Sequence, residues 1–180
     1  MTPDESEIGR LMLTWARVRY RVAQFFTTFW TSFRPVDVAY AARYLDPALL
    51  GLFRRMPRAE QHHGIAICRA LEAQGHLDPD VLVAALLHDV GKIQAPPRLW
   101  DRVIAVLGEH FTPRWAARWS VGEPRGLRRG FVVRRMHPAW GAALAEQAGA
   151  PLRAVALIRR HHEPPGDDLE LAALQETDNY

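Results

Sequence analysis

Apolar residues recur at three- and four-residue steps along most of the chain, and no alternation is long enough to line one face of a strand. The pattern predicts helices throughout. Over residues 8–33, Ile8, Leu11, Trp15, Val18, Val22, Phe25, Phe26, Phe29 and Phe33 form one stripe, with Arg10, Thr14, Arg17, Arg21, Gln24 and Thr28 opposite. A basic, aromatic helix of this kind suits a membrane surface or a second copy of the chain. Such stripes more often lie on the protein's own core, and that placement is expected here.

A second helical stretch spans residues 38–44, and Asp46-Pro47 reads as the cap and first turn of a third that ends near Arg55. Pro57 breaks the chain, and residues 58–74 resume helical periodicity up to Gly75. Asp78-Pro79 caps the next helix. It is apolar from Val81 to Leu87, so burial on all sides is expected; His88 and Asp89 close it and Gly91 stands past its end. A helix over 99–109 precedes an irregular region containing Gly122, Pro124, Gly126 and Gly130. His137-Pro138 looks like the start of a helix to Gly149, Pro151 starts another through Ile158, Pro164-Pro165-Gly166 makes a turn, and residues 169–175 form a last short helix. The expected fold is all-α, a single domain over residues 1–180 in which N-terminal helices (1–54) pack on a core spanning 55–180.

Composition narrows the class. With 180 residues, 48% hydrophobic and 24% charged, the chain can bury one sizeable core and is neither disordered nor fibrous. The single cysteine, Cys68, excludes an internal disulfide framework and a cysteine-based zinc site, and it fits a reducing cytoplasm. The longest uncharged run, residues 22–33, is short of the roughly 20 residues a membrane-spanning helix needs. Asp4, Glu5 and Glu7 stand where a secretory leader carries positive charge, so a cytoplasmic location is expected. Net charge is only +3, yet of 23 basic residues all but Lys92 are arginine.

Six of the eight histidines fall at or beside predicted helix ends: His62, His63, His88, His137, His161 and His162, joined by the acids Asp89, Asp178 and Glu60. Imidazole and carboxylate donors without sulfur suit Mn²⁺, Fe, Co²⁺, Ni²⁺ or Zn²⁺ better than Ca²⁺. An adjacent His-Asp pair can aim both side chains into one cavity, the imidazole on one ion and the carboxylate bridging two. Two ions about 3.5–4 Å apart are suited to in-line attack at phosphorus. Taken singly, each residue has a duller explanation, a chance dipeptide or a helix cap; the combined spacing is harder to dismiss.

The segment VLVAALLHDVGK, with His63 in HHGIAICRAL upstream, resembles the HD superfamily of metal-dependent phosphohydrolases, over roughly residues 55–178. That resemblance implies an HD-domain-like helical bundle in which His63, the doublet His88-Asp89 and the closing Asp178 hold a first ion. HPAWGAALA and IRRHHEP resemble the two-metal branch, implying a second ion on His137, His161 and His162. His62 is then a neighbour of a ligand. Two departures limit the likeness. HHE is followed by PPGDD instead of the Gly-Tyr-Pro element of the cyclic-di-GMP branch, and Glu60 stands three residues before His63 where an extra ligand would stand four before, so no third ion is expected.

The resemblance implies a hydrolase that cleaves a nucleotide or another small phosphate ester or diester by attack of a metal-bound hydroxide, with Asp89 as bridge. Lys92, in HDVGK, matches a lysine that relatives place near the substrate phosphate. The otherwise exclusive use of arginine suggests that a compact ammonium is wanted there, although a lone lysine is ordinarily a surface residue. The rival reading is a signalling module that kept the fold and lost turnover, but modules such as the HDOD type have lost the ligands, and here every position is filled. Residues 114–135 carry seven arginines against Glu123 alone; they read either as a phosphate-capturing lid or as a solvated basic loop, and leave nucleic acid open as a second partner. A homo-oligomer is likewise left open.

Overall fold

Helix starts follow the capping chemistry of the sequence. The computed structural model describes residues 34–178 apart from 97–99, 102–103, 106 and 109–111; the amphipathic helix expected over 8–33 lies outside the described residues. Asp37 accepts from the Tyr40 N–H at 3.0 Å and opens the short α1 (Val38–Ala41). Asp46 accepts from the Leu49 N–H at 2.9 Å just ahead of α2 (Pro47–Arg54). After Pro57 comes α3 (Arg58–Ala73), ended by Gly75 at φ 89°, a conformation glycine adopts without strain. Asp78 caps α4 (Pro79–Leu87), and a 3-10 turn (Val90–Gln94) follows. Then come α5 (Pro113–Trp119), a second 3-10 turn (Gly126–Arg128), α6 (Arg129–Gln147), α7 (Leu152–Arg160) and α8 (Leu169–Asp178). No strand occurs among the described residues, and the all-α bundle stands as expected. No helix among them is long and apolar enough to cross a membrane.

As its apolar circumference requires, α4 is buried from Val81 to Leu87 and packs against α3, α7 and α8. Tyr40, Leu49 and Phe53 from the first two helices join the same core as Leu71, Leu86, Ile158 and Leu174. A satellite core of Ala105, Ala116 and Phe131, with Trp119 against it, lies where α5 meets α6.

Two expectations are corrected here. α6 begins at Arg129, not at His137-Pro138, so Pro138 stands inside a helix. The irregular region is likewise shorter than expected, because Thr112-Pro113 opens α5 and Gly130 belongs to the first turn of α6. Gly130 is there for space: a Cβ would come within 2.1 Å of the Asp101 carbonyl oxygen. The basic stretch is therefore not one loop or lid. Arg114 and Arg118 ride on α5, and Arg129, Arg134 and Arg135 on α6. Residues 100–101, 104–105 and 107–108 are helical, in keeping with the helix expected over 99–109 as far as its residues are described.

Glycine decides two helix contacts that carry the site. Next to His63, Gly64 lets α3 lie on the end of α4, where a Cβ would meet the Leu86 carbonyl oxygen at 2.9 Å. Gly91, in the 3-10 turn, lies so close to α6 that a Cβ would be 2.0 Å from the His137 carbonyl oxygen and 2.6 Å from the Gly141 nitrogen. Past the end of α4, Gly91 is not a left-handed helix stop, since its φ is not positive. What its position requires is the missing side chain.

Candidate metal centre

Five helices deliver the chemistry-bearing side chains to one place. His63 comes from α3, His88 from the C-cap of α4, Asp89 from the residue before the 3-10 turn, His137 from the middle of α6, His161 from the C-cap of α7 with His162 after it, and Asp178 from the last turn of α8. The contacts at Gly64 and Gly91 place α3 against α4 and α6 against the doublet, so the site is a consequence of backbone approach.

Three histidines are aimed by their own helices. The ring Nδ1–H donates to Ala85 O at 2.9 Å in His88, to Val133 O at 3.0 Å in His137 and to Ile158 O at 2.7 Å in His161. For His88 and His161 the acceptor is one of the carbonyls that a helix end leaves without an amide partner. Committing Nδ1 to a carbonyl turns each Nε2 inward, the atom a metal ligand would present.

The inward atoms form two triads. Within His63, His88 and Asp178, one ligand atom of each lies within 4.8 Å of the others, and the same holds for His137, His161 and His162. In the first triad His63 Nε2 is 2.8 Å and His88 Nε2 3.6 Å from Asp178 Oδ1. In the second, His137 Nε2 is 3.1 Å from His161 Nε2, and the His162 ring centre lies 4.3 Å from that of His161. Asp89 stands between them: Oδ2 is 3.4 Å from His88 Nε2 and Oδ1 is 3.2 Å from His137 Nε2. All seven residues expected to hold metal are therefore gathered together.

The other candidates fall around this group. Lys92 Nζ is 2.5 Å from Asp89 Oδ2 and 3.2 Å from Oε2 of the buried Glu60, so a cation already stands between those two carboxylates. His62 turns toward Arg34 O at 3.2 Å and joins neither triad.

Electrostatics separate the triads. Burial opposes charge on Asp89, but Lys92 and His88 outweigh it and hold the carboxyl well below its ordinary range. Burial likewise opposes charge on Asp178, but the hydrogen bond from His63 and the nearby His88 ring lower it strongly. Burial disfavours a charged His88, yet Asp89 and Asp178 together raise it well above the ordinary imidazole value. His161 is driven far down by burial and by its histidine neighbours, and His162 to about 4 by desolvation, His137 and Arg134. The first triad thus calls for positive charge, and the second presents two imidazoles, His161 and His162, held toward the neutral form.

A divalent ion fits this donor set. His88 Nε2 is buried and makes no hydrogen bond, although two carboxylates approach it. With both Nδ1 atoms turned to carbonyls, His137 Nε2 and His161 Nε2 stand 3.1 Å apart and face the same space, where a cation can take both as donors.

Some contributors gave no signal at the level of residue type. The aiming carbonyls of Ala85, Val133 and Ile158 are backbone atoms. The PPGDD segment holds α8 in place: Asp168 accepts from the Leu171 N–H at 3.1 Å, and Arg153 of α7 grips Asp168 at 2.5 Å and Glu170 at 2.5 Å. Burial works against the Asp168 charge, but Arg153 dominates and lowers its carboxyl to about 2. Glycine beside a candidate ligand was a legible signal for the close contacts, and Thr112-Pro113 for α5.

No curated protein and no solved structure matches the chain. Residues 36–180 match the family model described as HD domain, a span that takes in α1 and α2 as well as every residue of the two triads. With most of its length matched and the His-Asp doublet at its centre, this protein belongs to the HD-domain family.

Proposed function

We propose that this protein is a phosphohydrolase that uses two divalent ions to cleave a small organic phosphate, with a nucleotide as the foremost class. HD domains are typical of metal-dependent phosphohydrolases. The observation that carries the two-ion reading is the division of Asp89, one oxygen toward each triad. His63, His88, Asp178 and Asp89 Oδ2 would hold one ion, and His137, His161, His162 and Asp89 Oδ1 the other. Bound there, the ions would polarise phosphoryl oxygens and activate a water for in-line attack.

The chain's own residues do the positioning. The three Nδ1–H bonds lock ring orientation and leave little reorganisation for the reaction. Asp89 ties the two halves together. Lys92, fixed on Asp89 and Glu60 at the rim of the doublet, supplies an ammonium where charge on the transferred phosphoryl group is stabilised. His162, on the solvent side of its triad, faces the approach to the site.

The test is metal content per chain in the purified protein, together with phosphate release from a panel of phosphate esters in Mn²⁺. Two ions per chain and release abolished by a chelator are expected. Protein that takes up no metal and releases phosphate from no ester would return it to the signalling-module reading.

A further inference from the structure

A pocket of about 440 Å³ opens between α5 and α6. It is lined by Ala116, Ala117 and Ser120 on one side, by Phe131, Arg134 and Arg135 on the other, and by His162. His162 thereby belongs to two places at once, since its ring centre is 4.9 Å from that of His137 within the imidazole triad. A ligand filling this pocket touches the outer member of the candidate metal centre.

The lining has a definite chemistry. Its polar groups are two guanidiniums, a hydroxyl and an imidazole, with no carboxylate among them. Arg135 Nη1 donates to Ser120 Oγ at 3.2 Å, which fixes one guanidinium across the gap between the helices. The only acid in residues 114–135, Glu123, is engaged with Arg125 at 2.9 Å and lines no part of the pocket. Two alanine methyls and the buried Phe131 give the remaining wall, small enough to leave room and apolar enough to take a carbon framework. Forked guanidiniums beside a hydroxyl match the several oxygens of a phosphate, with charge-assisted bonds a neutral group does not offer.

We propose that this pocket holds a second phosphate group of the substrate, gripped by Arg134 and Arg135, and that the preferred substrate is an organic phosphate carrying two separated phosphate groups. The proposal rests on the phosphohydrolase reading, because the triads take the phosphate that is cleaved and the pocket takes the one that is not. It turns the basic stretch from a diffuse field into a selectivity device with two named residues.

The experiment compares adenosine 3′,5′-bisphosphate with adenosine 5′-monophosphate on the metal-loaded full chain, by kcat/KM for phosphate release and by calorimetric Kd where neither is turned over. The bisphosphate should be favoured by about tenfold, the scale of one or two charge-assisted hydrogen bonds. In the double variant Arg134→Gln, Arg135→Gln the ratio should fall to near one. Ala117→Leu, which fills the pocket from the α5 side without touching charge, should lower it as well, so the result does not hang on one variant's folding. Equal preference in the parent, or a ratio unchanged in both variants, overturns the proposal. Phosphate release without preference would leave the hydrolase reading standing and remove the pocket. A preference abolished by the variants, in a protein that releases no phosphate, would do the reverse.

Discussion

The two triads are built from nearly the same parts and behave oppositely. In the first, Asp178 accepts from His63 at 2.8 Å, so the group coheres through its own hydrogen bond and needs one positive charge among its carboxylates. In the second, three imidazoles crowd together, two of them pushed toward the neutral form, with Asp89 Oδ1 3.2 Å from His137 Nε2. Asp178 lies against both His63 and His88 in the first, whereas the second is a meeting of ring nitrogens with one another. The comparison implies that the first triad is organised before metal arrives, and that the second is organised by metal.

Asp89→Asn breaks the comparison altogether and carries the largest expected effect. Removing the carboxylate that, among the described residues, is shared between the halves should cost turnover more than the roughly 100-fold typical of losing an outer partner of a metal ligand. Elemental analysis should find both ions diminished. Retention of two ions at full stoichiometry would show that Asp89 bridges nothing. His137→Ala, by contrast, should lose one ion and keep the other, and it should do so without unseating His63 and Asp178.

Gly91→Ala sharpens the contrast by moving backbone instead of ligands. The new Cβ would stand 2.0 Å from the His137 carbonyl oxygen and 2.6 Å from the Gly141 nitrogen, both main-chain atoms that cannot rotate away. Forced separation of α6 from the 3-10 turn should cost about 3 kcal/mol or more, at the upper end of overpacking penalties. For a chain of this length that is a fall in Tm of roughly 6–12 °C. The second ion should be lost and the first retained, because the contact of α3 with α4 at Gly64 is untouched. A variant with parental Tm and two ions would refute the close-approach account.

How much of this was legible in the sequence differs between the same regions. Helices opened by Asp46, Asp78 and their following prolines were readable because a cap and a fixed φ are local properties. The start of α6 was not, because Pro138 mimics a first turn and only the packing of Phe131, Val132 and Val133 shows that the helix began earlier. The candidate residues were legible from their types and their order, although His63 stands within α3 and His137 in the middle of α6 instead of at the helix ends expected for them. Their division into two sets was carried by the resemblance, which puts His63, His88, Asp89 and Asp178 on one ion and His137, His161 and His162 on another; the carbonyls that aim the rings and the partners of Lys92 depend on which backbones touch, and a linear pattern carries that only indirectly, through glycines at 64, 91 and 141.

Lys92→Arg probes the seam between the triads and should have the smallest effect of these changes. The ammonium sits with its side chain 19% exposed, 2.5 Å from Asp89 Oδ2 and 3.2 Å from Glu60 Oε2. Lys92→Ala would remove a charge next to the buried Glu60 and so mix a stability loss with any catalytic one. Arginine keeps the charge and changes its shape, exchanging a compact ammonium for a broad planar fork. Metal content and Tm should therefore stay near the parent's, while kcat falls by about tenfold or more, as loss of a preorganised charge near a phosphoryl group predicts. If Lys92→Arg matches the parent in kcat on the preferred substrate, the lysine serves only to balance Glu60 and Asp89, and charge stabilisation at phosphorus would rest on the two triads alone.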